Sequence, residues 1–224
     1  AAASAYAQIG YRGAGTGAIE VHAKDGGVNL AGGTGTDSFA QIGHGGRSVA
    51  GVKSGNITVI SGNGVSAAGG LGAGSNAYAQ IGHGGYGSAG VVGSAGATGT
   101  SDIVVRGGSG AILLAAGGNA AANAHYNYAK IGHGGDFSLD AVHGNVDVSG
   151  IGITMTAGSF GNAATGSRFA SAQIGHGGRE AKGGSGNVTV DAGSGDVRMI
   201  GGAVGMDFNS VQIGHGGNYQ VQGN

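Results

Sequence analysis

The sequence predicts an all-β chain, a parallel β-solenoid with three short strands in each repeat of about 40 residues and about five to six rungs in all. Three observations carry that expectation. The pentapeptide Ile-Gly-His-Gly-Gly recurs at 42–46, 81–85, 131–135, 174–178 and 213–217, after a degenerate copy at 9–13. Successive copies of its Ile are 33, 39, 50, 43 and 39 positions apart, a solenoid-scale period with variable insertions. Finally, 57 of 224 residues are glycine while proline, cysteine and tryptophan are absent, so glycine has to serve the architecture or the chain has none.

The first strand of each repeat is read at 17–21, 55–59, 101–105, 144–148 and 186–190, where Ile or Val alternates with residues such as Glu20, Thr58 and Asp147. The second follows at 28–30, 65–67, 112–114, 153–155 and 197–199 with the same alternation. A third leads into the pentapeptide, as in Tyr78-Ala79-Gln80-Ile81, and period two puts Ala and Ile on one side and the aromatic and Gln residues on the other. One repeat cannot bury its six apolar side chains alone; rungs stacked at ~4.8 Å join them into a continuous core. The glycines then turn corners. The variable stretches between second and third strands, and after the pentapeptide, read as loops. A division of each repeat into two rungs is the competing arrangement, disfavoured because those stretches show little alternation.

The 224 residues form one repetitive segment, with repeats ending near Gly13, Gly46, Gly85, Gly135, Gly178 and Gly217. The closing Gly223-Asn224 repeats the dipeptide that opens the first strand in three repeats, which suggests a segment of a longer array. Other classes are excluded. Glycine without a Gly-X-Y period is not collagen, and without cysteine there is no disulfide framework or thiolate metal site. Ten basic against eleven acidic residues, all scattered, offer no nucleic-acid footprint. The longest apolar runs, such as 111–116, fall far short of the ~20 residues that span a bilayer.

Stacking turns repeated residues into columns. His44, His83, His133, His176 and His215 share one corner, either as stacked rings that hydrogen-bond backbone carbonyls or, in the alternative, as ligands for Zn²⁺, Cu²⁺ or Ni²⁺ in a metal-binding or charge-conducting scaffold. Gln8, Gln41, Gln80, Gln173 and Gln212, interrupted by Lys130, form an outward column expected to ladder amide to amide; Asn56, Asn145 and Asn187 suggest a corner ladder of the same kind. Tyr6, Phe39, Tyr78 and Tyr128 form a candidate association stripe, to be covered by loops, packed against another fibre or set against a glycan. No catalytic residues are expected. The outward column Glu20, Thr58, Val104, Asp147, Thr189 never sets two acids on adjacent rungs, which leaves a glycan-active solenoid enzyme as a weak third reading, and no cofactor is implied.

The wording Gly-Asn-Ile/Val-Thr-Val followed by Ser-Gly and a second Val-x-Met strand, as at 186–199, resembles the repeats of filamentous-haemagglutinin-like bacterial adhesins and surface exoproteins, as does Tyr-Ala-Gln-Ile-Gly-His-Gly-Gly at 78–85. The resemblance implies a right-handed parallel β-helix at a bacterial cell surface or in an extracellular fibre, exported by two-partner secretion or as an autotransporter. It carries no catalytic residues across. The function expected is therefore structural: rigid extension, self-association end to end or side by side, and surface attachment, with host or cell-surface glycans as possible partners.

Overall fold

The computed structural model describes residues 5–93, 101–118, 124–158, 168–182, 184–202 and 208–217; the closing Gly223-Asn224 dipeptide lies outside them. They form a parallel β-solenoid with four faces. Face one stacks Ala7–Ile9, Ala40–Ile42, Ala79–Ile81, Ala129–Ile131, Ala172–Ile174 and Val211–Ile213. Face two stacks Gly15–Thr16, Ala50–Ser54, Ala89–Val92, Ala141–His143 and Gly184–Ser185. Face three runs through Ile19–Ala23, Ile57–Ser61, Ile103–Arg106, Val146–Ser149 and Val188–Asp191, and face four through Val28–Ala31, Val65–Ala68, Ile112–Ala115, Ile153–Thr156 and Val197–Ile200. Each strand pairs with the same strand of the next repeat, so one repeat is one rung.

Register aligns like with like. Ile42 pairs with Ile81, Ile131 with Ile174, Val105 with Val148 and Met155 with Met199. The inward columns of faces one, three and four merge into one apolar core that includes Ile57, Val59, Ile81, Ile103, Ile112, Leu114, Ile131 and Met155. Burying each such side chain is worth about 1.5–3 kcal/mol, which is why the alternation alone places these three faces.

Face two adds a strand to the three expected. It occupies the variable stretch after the pentapeptide, and its inward column reads Lys53, Val92, Val142 with Gly15 and Gly184 in register at its ends. A lysine and two glycines on the inner side erase the alternation. Yet Lys53, Val92 and Val142 are all buried, so the face is a real wall of the coil.

Candidate functional site: the histidine, glutamine and aromatic columns

The pentapeptide turns the chain off face one and points its histidine between face two and the start of face three. Gly184 lies so close to His176 that a side chain there would strike the histidine side chain, whereas a Cβ on Gly15 would stand in ordinary contact with the His44 ring, 3.4 Å from Nδ1. The rings of His44, His83, His133, His176 and His215 stack with centroids 4.9, 4.9, 5.0 and 4.7 Å apart and planes within 12° of parallel.

Both ring nitrogens are used, and both reach back to the preceding rung. Nδ1 of His44 accepts from the Tyr11 N–H at 3.1 Å, that of His83 from the His44 N–H at 2.9 Å, and that of His133 from the His83 N–H at 2.9 Å; His176 and His215 repeat the bond. An N–H can only donate, so Nδ1 is the acceptor and the ring proton sits on Nε2. Nε2 then donates to the carbonyl just before face three: Gly17, Gly55, Ser101, Gly144 and Gly186, at 2.6–3.0 Å. Burial favours the neutral ring and lowers the His83 pKa to about 4 and that of His176 to about 3; neighbouring imidazoles add to it, while the carbonyl opposite Nε2 works against it. His133, between two histidines, is pushed well below its usual value for the same reasons.

This geometry argues against the metal alternative for His44, His83, His133, His176 and His215. Binding an ion needs a free nitrogen lone pair, and the one that each neutral ring has is already held by an amide. Each ring nitrogen bonds a backbone group rather than a neighbouring ring.

The glutamine column points away from the apolar core, as the alternation requires, yet Gln41, Gln80 and Gln173 are buried, because chain covers them. Its ladder also differs from the amide-to-amide form expected. Nε2 of Gln8 donates to the carbonyl of Gly43, that of Gln41 to Gly82 and Gly84, that of Gln80 to Gly132 and Gly134, and that of Gln173 to Gly214 and Gly216. Each amide thus ties the next rung's pentapeptide. Gln212 bonds the His215 carbonyl of its own rung. Lys130 takes the column's fourth place, buried, with Nζ donating to Gln173 Oε1 at 2.9 Å. Burial pulls its ammonium down and pushes the nearby Asp136 carboxyl up, and each charge opposes the shift of the other.

The asparagines do form a corner ladder, through side chain and backbone. Asn56 Oδ1 accepts from the Asp102 N–H, Asp102 Oδ1 from the Asn145 N–H and Asn145 Oδ1 from the Asn187 N–H, at 2.7–3.0 Å. Asp102 completes the column.

Of the three arrangements open to the aromatic stripe, cover by the chain's own loops is the one found, so it is not an association surface. Phe39, Tyr78 and Tyr128 form a second buried cluster, stacked at 4.8 and 4.7 Å, and only Tyr6, at the first rung, is exposed. The chain leaving the pentapeptide folds back over them. Gly85 has φ +146°, and a Cβ there would stand 2.6 Å from the Tyr78 hydroxyl, so the last glycine of the pentapeptide is the lid over the ring. Phe39, Tyr78 and Tyr128 are therefore packing residues and not a surface.

A half-buried aromatic row lies elsewhere, with Phe208 its exposed member. Tyr126, Phe169 and Phe208 stack at 5.1 and 5.2 Å along the coil, with Tyr86 and Phe137 edge-on beside them. The Arg179 guanidinium sits 4.0 Å from the Phe169 ring centre, and Arg47 lies over Tyr86. Tyr126, Phe137, Phe169 and Phe208 all have φ between 58° and 63°, a left-handed conformation that bulky residues avoid. A signal was present in the sequence: Tyr126, Phe169 and Phe208 each stand two places before the column of Tyr128, Ser171 and Ser210.

Compared with protein-family models, curated proteins and solved structures, the chain finds no match. The parallel-strand repeat architecture is the part of the adhesin resemblance that the fold bears out.

Proposed function

We propose that the chain is a rigid structural segment of a secreted bacterial adhesin or extracellular fibre, acting at or beyond the cell surface by extension, self-association and attachment. One observation carries the reading. Polar columns that could have formed a reactive or ligand-binding face are spent on bonds between rungs: the histidines reach back, and Gln8, Gln41, Gln80 and Gln173 reach forward. Side chains committed to axial bonding stiffen a rod. Electron microscopy with fibre diffraction tests this: long straight filaments with an axial ~4.8 Å repeat support it, and compact particles that never elongate sink the fibre reading.

The ridge of Tyr86, Tyr126, Phe137, Phe169 and Phe208 is the surface we assign to side-by-side packing with a second copy. Aromatic residues and arginine are the composition of association hot spots, and strained backbone is kept where function needs it. The ridge carries both signs of charge, with Arg47 bonded to Asp37 and Arg179 to Glu180, so it complements itself. Phe169→Ser with Phe208→Ser is expected to abolish bundling while leaving the circular dichroism unchanged. Bundles that persist would remove the ridge from the interface, and glycan-array binding lost in the same variant would reassign it to sugar.

A further inference from the structure

Face two holds a side-chain cluster that no rung-to-rung ladder uses. Lys53 and Asp140 stand 87 positions apart, on the second and fourth rungs, and both side chains are 0% exposed. Lys53 Nζ donates to Asp140 Oδ1 at 3.0 Å, to the Gly51 carbonyl at 2.9 Å and to the Ala89 carbonyl at 3.3 Å. The other carboxylate oxygen, Oδ2, accepts from the hydroxyls of Ser88 and Ser138. Room for that oxygen is made by Gly84, where a Cβ would stand 2.9 Å from it.

We propose that Lys53 and Asp140 are joined by an amide bond formed within the folded chain, a covalent staple from the second rung to the fourth. A buried ion pair gains little from staying ionised, because the desolvation of both charges offsets their attraction. In such a pocket the ammonium passes a proton to the carboxylate, and the freed Nζ lone pair attacks Cγ. The Nζ–Cγ bond forms, and negative charge develops on Oδ2, where the Ser88 and Ser138 hydroxyls already point. The Cγ–Oδ1 bond then breaks, and Oδ1 leaves as water with two of the three ammonium protons. The third remains on the amide nitrogen, directed at the carbonyl of Gly51 or Ala89. No oxidant, cofactor or second chain is needed, and the fold holds the partners together, so the step is intramolecular.

The staple would span the intervening rung, including Ala89–Val92, and resist separation of rungs two to four independently of how copies associate. The test is the intact mass of the full chain after folding, followed by a protease digest. The expected result is a mass one water below that of the sequence and a branched peptide containing both Lys53 and Asp140. Lys53→Met is expected to show the full sequence mass, which separates the staple from dehydration at Asp25-Gly26. A wild-type chain at full sequence mass, or a water loss located outside the Lys53 and Asp140 peptides, overturns the proposal and leaves an ion pair only. The digest decides the matter on wild-type protein even if the variant fails to fold.

Discussion

The backbone N–H of His83 donates to Nδ1 of His133 at 2.9 Å, while the two imidazoles lie stacked 4.9 Å apart. One residue therefore closes two gaps, since His133 also gives its Nε2 proton to the Ser101 carbonyl. Repeated up the coil, that pair of bonds explains why the third residue of the pentapeptide is histidine and not merely an apolar filler. Phenylalanine would keep the stack but leave one donor and one acceptor buried without partners, at about 1–3 kcal/mol each.

Acid should weaken the fold through this column. Unfolded histidines titrate near 6.5, whereas His83 and His176 are lowered to about 4 and about 3 in the folded chain. Groups held below their unfolded values contribute stability that is complete above pH ~6.5 and is lost as pH falls through the window toward the folded pKa, roughly 3 kcal/mol for His83 alone. Through these rings, thermal melts should thus fall steadily from about pH 6.5 to 4. A melting temperature unchanged across that window would contradict neutral, doubly bonded rings.

Transition metals should not load the column. After dialysis against Zn²⁺ or Cu²⁺ the folded chain is expected to carry far less than one ion per histidine pair, since Nδ1 is occupied by an amide at each ring. Elemental analysis gives the answer directly. Stoichiometric uptake without loss of β structure would mean that these amide bonds yield easily.

Single glycines should divide sharply into essential and free. At Gly82, with φ +155°, a Cβ would collide with the Gly132 carbonyl oxygen of the next rung, so Gly82→Ala should block stacking and leave little folded protein. Gly26 has nothing within 4 Å of where its Cβ would stand, and Gly26→Ala should melt within about 0.5 kcal/mol of the parent. Equal behaviour of the two variants in denaturant titrations would refute the stacking argument.

Replacing the inner aromatic column should cost stability before it touches association. Tyr128 is buried between Tyr78 and the chain folded over it, and its hydroxyl donates to Gln80 Oε1. Tyr128→Ser is expected to destabilise by about 3–5 kcal/mol, the range for emptying an aromatic core site. A variant as stable as the parent would place the ring at the surface after all.

Much of this architecture is readable from residues in order. Faces one, three and four are legible because apolar residues alternate along each strand in a constant order, face one leading straight into the pentapeptide and face four starting seven to nine residues after face three. Face two is not, because its inner column passes from Gly15 through Lys53 to Val92, and a buried lysine looks like a surface one until its partner Asp140 is placed. The columns themselves follow from the repeat. Their surroundings do not: period two shows that Gln80 and Tyr78 point away from Ile81 but says nothing about whether water or chain lies there. The covering chain carries no pattern of its own beyond glycine, so the glutamines and tyrosines read as outward residues although they are buried.

The histidine clamps also give the coil an arrow of time. Each imidazole fastens onto the rung made before it, so a chain leaving a ribosome or a secretion pore N-terminus first would latch every turn only when the following pentapeptide arrives. Growth would advance like a ratchet, one tooth per repeat, with slippage confined to the newest turn.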